Sequence, residues 1–462
     1  MNFEKYTILL HQHYSNIIQY RRLVAITKNL IMRTKVLILA LFFLSAIVSS
    51  CVKKDIEHKE KETTGFTELV VPADFEWKMS ENVTCNFTSE HASKVYVSTG
   101  ANTAPFASFY VGQDIDQVKL NVPTYINTLY VKYETEAGLS AAKSLDITNN
   151  TVTYTVPADS KEMETPLAYS AKTNLSRANG QAVIFYPAQE NGWGTLMFED
   201  LWPAYGDYDF NDFVVNYKIQ LYPNNKNMVK EMILEIRVKA IGGSLPYDLC
   251  LAIKGIKAGE IEECEKQESY NALEEADMKL LNPGNSVKNT PIFRFDNIRT
   301  NTKAPKGFAF LNTDPDKKAR IQEGDMVNIT FYITFRNSIP QADLTLDAFD
   351  FFIAKPVKEK ASQWQEIHTR GYAPTEEFGQ STYEQTKEGN SYIGKSSIYY
   401  TSNSNLIWAI NVPTDIPHAY EKADFLKAYP HFKDWATSGG NQNKDWYENT
   451  TGNRNDSYLI KQ

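Results

Sequence analysis

The sequence predicts an all-β protein: an N-terminal Ig-like β-sandwich, then a larger, jelly-roll-like β-sandwich with short C-terminal helices. Three observations carry this. Short alternating apolar and polar runs recur along the chain, as half-buried strands require. The composition holds 27 Tyr and 24 Phe, residues that suit a pleated surface packed on one face. Helical spacing appears only late, at Glu421–Tyr429, and Pro430 can open a further short helix to Ala436. A 462-residue chain is long enough for two or three domains. Its net charge of −8 gives no basic footprint, so no nucleic-acid partner is expected.

Residues 1–50 are expected to lie outside the fold. Arg33 and Lys35 precede the apolar run Val36–Val48. At ~1.5 Å per residue this run reaches ~20 Å, short of a ~30 Å hydrocarbon core, so it fits a signal peptide rather than a membrane span. Met32 is the expected true start, with an upstream extension before it. Val48-Ser49-Ser50-Cys51 resembles the bacterial lipobox, which implies lipidation at Cys51 and a membrane held through that lipid. The expected location is the outer membrane, facing the periplasm or the cell surface. Residues 51–65 then form a charged tether with almost nothing to bury.

Residues 66–158 read as the Ig-like sandwich. Val95/Val97, Phe109-Tyr110-Val111, Val118/Leu120, Leu129/Val131/Tyr133 and Val152/Tyr154/Val156 are its strand runs. Val83, Cys85 and Phe87 share a face, which makes Cys85 a core thiol. Residues 159–180 are polar and read as a linker. Residues 181–462 form the second sandwich. Its strands are longer: Phe213–Leu221, the alternation at Met232, Leu234, Ile236 and Val238, Tyr247–Ile253, and Ala348–Ala354. Val327, Ile329, Phe331, Ile333 and Phe335 give the cleanest period of two.

The chemistry gathers between two of these strands. Glu199, Asp200, Asp207, Asp209, Asn211 and Asp212 place six oxygen-bearing side chains within fourteen residues. Asp207, Asp209 and Asn211 alternate, with aromatic residues between them. Oxygen-only donors suit Ca²⁺, which takes roughly 6–8 of them. The spacing matches the first, third and fifth ligands of an EF-hand. It then departs, because Asp212 stands at the glycine position and Lys218 at that of the bidentate Glu. A calcium loop of another kind is therefore expected, with Glu199 and Asp200 as further ligands on the facing arm. The alternative is a turn capped by Asp and Asn side chains with no metal.

The segments Gly194–Pro203 and Gly206–Val215 resemble the signature of LruC-domain lipoproteins, a bacterial family of largely unknown function. Arg370–Thr375, Ile407–Pro413, Tyr429–Ala436 and Trp446-Tyr447 agree with it, so the likeness spans roughly residues 180–455. The resemblance implies an envelope lipoprotein and brings no activity with it. Related Asp-x-Asp-x-Asn-Asp repeats in secreted adhesive proteins favour calcium.

No CxxC, HExxH, GxSxG or phosphate loop occurs. The expected role is non-catalytic: envelope structure, adhesion, or binding of a glycan or another envelope or extracellular protein. Glycan capture in a nutrient-uptake system is the alternative, and a hydrolase using Asp207 and Glu199 stands behind it. Trp435 and Trp446 are expected to seal the core, with a carbohydrate platform as the competing reading. Cys250 and Cys264 could pair across a hairpin. His368 beside Arg370 and His418 beside Glu421 are further candidate pairs.

Overall fold

The computed structural model describes residues 65–163, 181–267, 276–282, 289–321, 326–357 and 360–461. The signal peptide, Cys51, the tether to residue 64 and most of the 159–180 linker lie outside the described residues.

The architecture is all-β, and the long strands set it. Ile329–Pro340 buries every second side chain from Ile329 to Phe335, while Thr330, Tyr332 and Thr334 stay half-exposed. That alternation is what a strand with one wet face requires. It pairs with Met228–Ala240, which pairs in turn with Phe213–Pro223, all antiparallel. These strands form the centre of a sheet that ends at Ile261–Lys266 on one side.

On the other side the sheet continues across the expected boundary between sandwiches. Phe213–Pro223 pairs with Ile184–Tyr186, which meets Ala107–Val111 through Ala107 and Ile184. Ala107–Val111 then pairs with Ser93–Ser98, and that strand with Thr128–Thr135.

A separate sheet covers the long strands. It runs Asp277–Leu280, Ile292–Asp296, Asp248–Ile253, Phe349–Val357, Lys360–His368. Tyr217 meets Phe351 at 5.1 Å between ring centroids, and Phe331 meets Phe295 at 5.5 Å, so the two inner faces interdigitate as a sandwich. A three-stranded sheet, Val118–Pro123, Ser80–Thr88 and Thr151–Thr155, closes the smaller sandwich over Val95, Val97, Phe109 and Val131. Cys85 lies in that core, as expected.

The C-terminal helices are shorter than the spacing predicted. The first spans only Phe425–Ala428, capped by the Asp424 carboxylate, which accepts from Leu426 N–H. Lys422 sits at φ 64°, outside the right-handed helical region, so no helix can begin at Glu421. The second helix spans Phe432–Thr437. Trp435 and Trp446 are completely buried in an aromatic cluster, which overturns the carbohydrate-platform alternative and leaves them as core. Residues 65–79 pack onto this same cluster through Phe66, Phe75 and Trp77.

Cys250 and Cys264 are both free. They lie in strands of different sheets, so the expected hairpin disulfide does not form.

Candidate metal centre

The acidic residues occupy the connection between Gly194–Phe198 and Phe213–Pro223, whose last rung pairs Phe198 with Phe213. Residues 199–212 are thus a long hairpin loop, yet they are mostly buried. The loop is fastened from inside. Glu199 N–H donates to the Trp408 carbonyl at 2.8 Å, and Trp408 Nε1 donates to the Ala204 carbonyl at 2.8 Å. Trp202 stacks on Tyr383 at 5.2 Å.

Within the loop, Tyr208 and Phe210 adopt φ of 54° and 55°. Bulky side chains rarely take this left-handed conformation, which costs on the order of 1–3 kcal/mol per residue. Both rings enter the aromatic cluster, and Asp207 and Asp209, which alternate with them, carry carboxylates.

Glu199, Asp207 and Asp209 converge. Each offers an oxygen, and these lie within 4.8 Å of one another. Two oxygens bound to one Ca²⁺ at ~2.3–2.6 Å stand at most ~5 Å apart, so the spacing suits a shared cation. The three residues are 0%, 7% and 1% exposed, which removes bulk water as the screen between them. Glu199 Oε1 accepts from the Phe210 N–H at 2.8 Å, while its Oε2 has no donor among the described residues. Burial, then the carboxylates of Asp212, Asp209 and Asp207, push the Glu199 pKa well above the usual range. Asp209 is pushed up by burial and by Asp207, Asp212 and Glu421, against the N–H that Lys422 donates to it. Such groups become charged at neutral pH when a cation joins them.

Glycines make the cradle possible. A β-carbon on Gly206 would sit 1.7 Å from Glu199 Oε2. One on Gly242 would sit 2.1 Å from Asn211 Oδ1. Asn211 is wholly buried; its Nδ2 donates to the Ala419 carbonyl at 3.3 Å, and its Oδ1 has no donor among the described residues.

Asp200 and Asp212 take structural partners. Asp212 Oδ2 accepts from Asp200 N–H at 2.8 Å, and Asp200 Oδ2 from Leu245 N–H at 3.3 Å. Arg299 donates to the Gly243 carbonyl at 2.6 Å and feels the charges of Asp200 and Asp212.

The sequence reading does not include Glu421, Gly206 or the Gly242-Gly243 pair in the site. Gly206 stands within the motif; the others lie far away in sequence and carry no local signal.

The two histidine pairs are not formed. His368 bonds Asp350 and Glu366, while Arg370 reaches Asn405 Oδ1 and the Ala73 carbonyl. His418 Nε2 instead donates to the Asn312 carbonyl at 2.7 Å.

The family described as a domain of unknown function, DUF4842, matches residues 227–447, just under half of the chain. Among curated proteins nothing matches. A solved structure is similar: a Bacteroides ovatus protein provisionally described as a lipoprotein. It is 22% identical, with a TM-score of 0.58 over 79% of this chain and 98% of that one. At this identity the likeness concerns the fold. Among the described residues, no helix is long and apolar enough to cross a membrane.

Proposed function

We propose that this is a non-catalytic cell-envelope lipoprotein whose acidic loop is held by Ca²⁺. Cys51 would carry the lipid, and the outer membrane would be its site, facing the periplasm or the cell surface. The body would serve adhesion, ligand binding or envelope structure, in keeping with the LruC-like segments of the sequence. The observation that carries the metal reading is the convergence of Glu199, Asp207 and Asp209 beneath the surface, with Glu199 Oε2 lacking a donor among the described residues. Asn211 Oδ1, buried two residues beyond Asp209 and with no donor among the described residues, is the next candidate ligand. A hydrolase would instead need two carboxylates ~5–9.5 Å apart facing a cleft. Here the three crowd together and are buried.

Titration calorimetry of the ion-free protein tests the reading. One equivalent of Ca²⁺ should bind with a Kd of roughly 10⁻⁴–10⁻³ M, as in extracellular modules. Asp207→Asn with Asp209→Asn should abolish the heat. Absence of binding by the unmodified protein would refute it.

Glycan capture keeps one observation in its favour. Tyr392 is 43% exposed and stacks on Tyr205 at 3.9 Å, beside the acidic loop. If that ring is a sugar platform, Tyr392→Ala will lose binding to an oligosaccharide panel that the unmodified protein retains. No binding by either protein would remove this reading.

A further inference from the structure

The acidic loop faces two ways. Asp207, Asp209 and Asn211 carry its oxygens, and Tyr208 and Phe210, between them, carry its rings. Phe66 sits on those rings: it stacks on Tyr208 at 4.3 Å with an interplanar angle of 11°, and meets Phe210 at 5.3 Å and 62°. Phe66 is fully buried although its neighbour Val70 is 84% exposed, so this stretch runs along the surface with its aromatics turned inward.

Residues 65–79 are fastened mainly by side chains. Asn405 Nδ2 donates to the Pro72 and Phe75 carbonyls at 2.6 and 3.0 Å, and Trp77 Nε1 donates to the Asn405 carbonyl at 2.8 Å. Phe75 meets Trp435 edge-on at 5.0 Å. None of residues 65–79 belongs to a sheet. A segment held this way opens more readily than a central strand.

We infer that residues 65–79 are a strap whose docking is coupled to the cation at the acidic loop, each favouring the other. The inference rests on the calcium reading. Its basis is that the same few backbone torsions serve both faces. Without an ion, the oxygens of Glu199, Asp207 and Asp209 are crowded within 4.8 Å of one another and buried with no cation to share, which favours an opened loop that returns them to water. Opening releases Tyr208 and Phe210 from their left-handed torsions and swings both rings away from Phe66. Conversely, a loop without Phe66 has lost part of the packing that holds Tyr208 and Phe210 in place, so its oxygens are less well fixed for a cation.

The strap adjoins the stretch read from the sequence as a membrane tether. Its fifteen residues would add up to ~50 Å of reach when undocked, at ~3.3 Å each. Calcium would then set how closely the folded body is held to the membrane.

Two measurements on the full chain test this. Calcium titration calorimetry compares the unmodified protein with Phe66→Leu, which keeps an apolar side chain and removes the ring. Peptide-resolved amide exchange follows residues 65–79 with EDTA and with saturating Ca²⁺. By reciprocity, complete loss of docking would weaken calcium binding by the same factor by which calcium slows strap exchange, on the order of tenfold, and Phe66→Leu should show a measurable part of that factor. Phe75→Ala, which loosens the strap away from the loop, should weaken calcium binding in the same direction. Unchanged affinity in both variants, with strap exchange indifferent to calcium, would overturn the coupling while leaving the calcium site standing. Absence of calcium binding by the unmodified protein would overturn both.

Discussion

Alanine at position 206 tests whether the buried carboxylate is held where the structure places it. Its methyl would lie 1.7 Å from Glu199 Oε2 and 2.9 Å from Cδ. Real β-carbons essentially never approach below 3.0 Å, so the oxygen must retreat by about 1.3 Å, that is 3.0 − 1.7. Gly206 is outside the left-handed region, so alanine adds no backbone strain there. The consequence falls on Glu199, whose side chain has no solvent to move into. Because Cδ is also too close, the whole carboxyl must shift, and its other oxygen, Oε1, is drawn off the Phe210 N–H that it accepts from at 2.8 Å. Leaving that buried N–H without its acceptor costs about 1–3 kcal/mol. Urea unfolding of Gly206→Ala in EDTA should therefore show a lower midpoint at an unchanged slope, worth about 2 kcal/mol. Calcium should rescue less of the stability in the variant, because a cation ligand has moved. Gly242→Ala should cost more: its methyl meets the Asn211 backbone carbonyl at 2.8 Å as well as Oδ1 at 2.1 Å, and backbone yields less readily than a side chain. A Gly206→Ala protein with unmodified stability and calcium affinity would refute the placement of Glu199.

Two buried histidines give opposite pH signatures. Burial alone would lower the His368 pKa, but Asp350 and Glu366, each 3.0 Å from a ring nitrogen, raise it above its ordinary value. Its stabilisation is full below the unfolded value of ~6.5 and fades as pH rises through the folded one. His368→Gln should thus lower the melting temperature more at pH 6 than at pH 9; equal losses would contradict this. Burial, reinforced by Lys239, lowers His418 to about 3. Its stabilisation is present above pH ~6.5 and is lost as pH falls toward the folded value. His418→Gln should flatten the loss of stability between pH 6 and 4, and an unchanged acid limb would exclude that role.

The legible parts of this molecule are those written in local period. Ile329, Phe331, Ile333 and Phe335 alternate in sequence and in burial, because one face of that strand meets a second sheet. The alternate oxygens at Asp207, Asp209 and Asn211 mark the loop because the left-handed Tyr208 and Phe210 between them turn their rings into the aromatic cluster. What was not legible depends on distant chain. Nothing near Asp200 and Asp212 shows that Leu245 and Arg299 will meet them. Glu421–Tyr429 has helical spacing, yet Lys422 takes a left-handed torsion as the chain docks, through Glu421 N–H, on Thr313. Phe66 reads as the first residue of the small sandwich, while the ring it stacks on is Tyr208. In each case a local preference yields to burial against a remote segment, which a pattern of nearest neighbours cannot encode.

The most direct test of the central claim is thermal unfolding of the protein in EDTA and in 10 mM Ca²⁺. With a Kd of roughly 10⁻⁴–10⁻³ M, calcium at this level stabilises by about 1.4–2.7 kcal/mol. Residues 63–462 form one compact unit, and at ~2.1 cal/mol/K per residue its unfolding entropy is ~0.8 kcal/mol/K. The account therefore predicts a rise of roughly 2–3 °C that Asp207→Asn with Asp209→Asn eliminates. An identical melting temperature with and without calcium in the unmodified protein would contradict it.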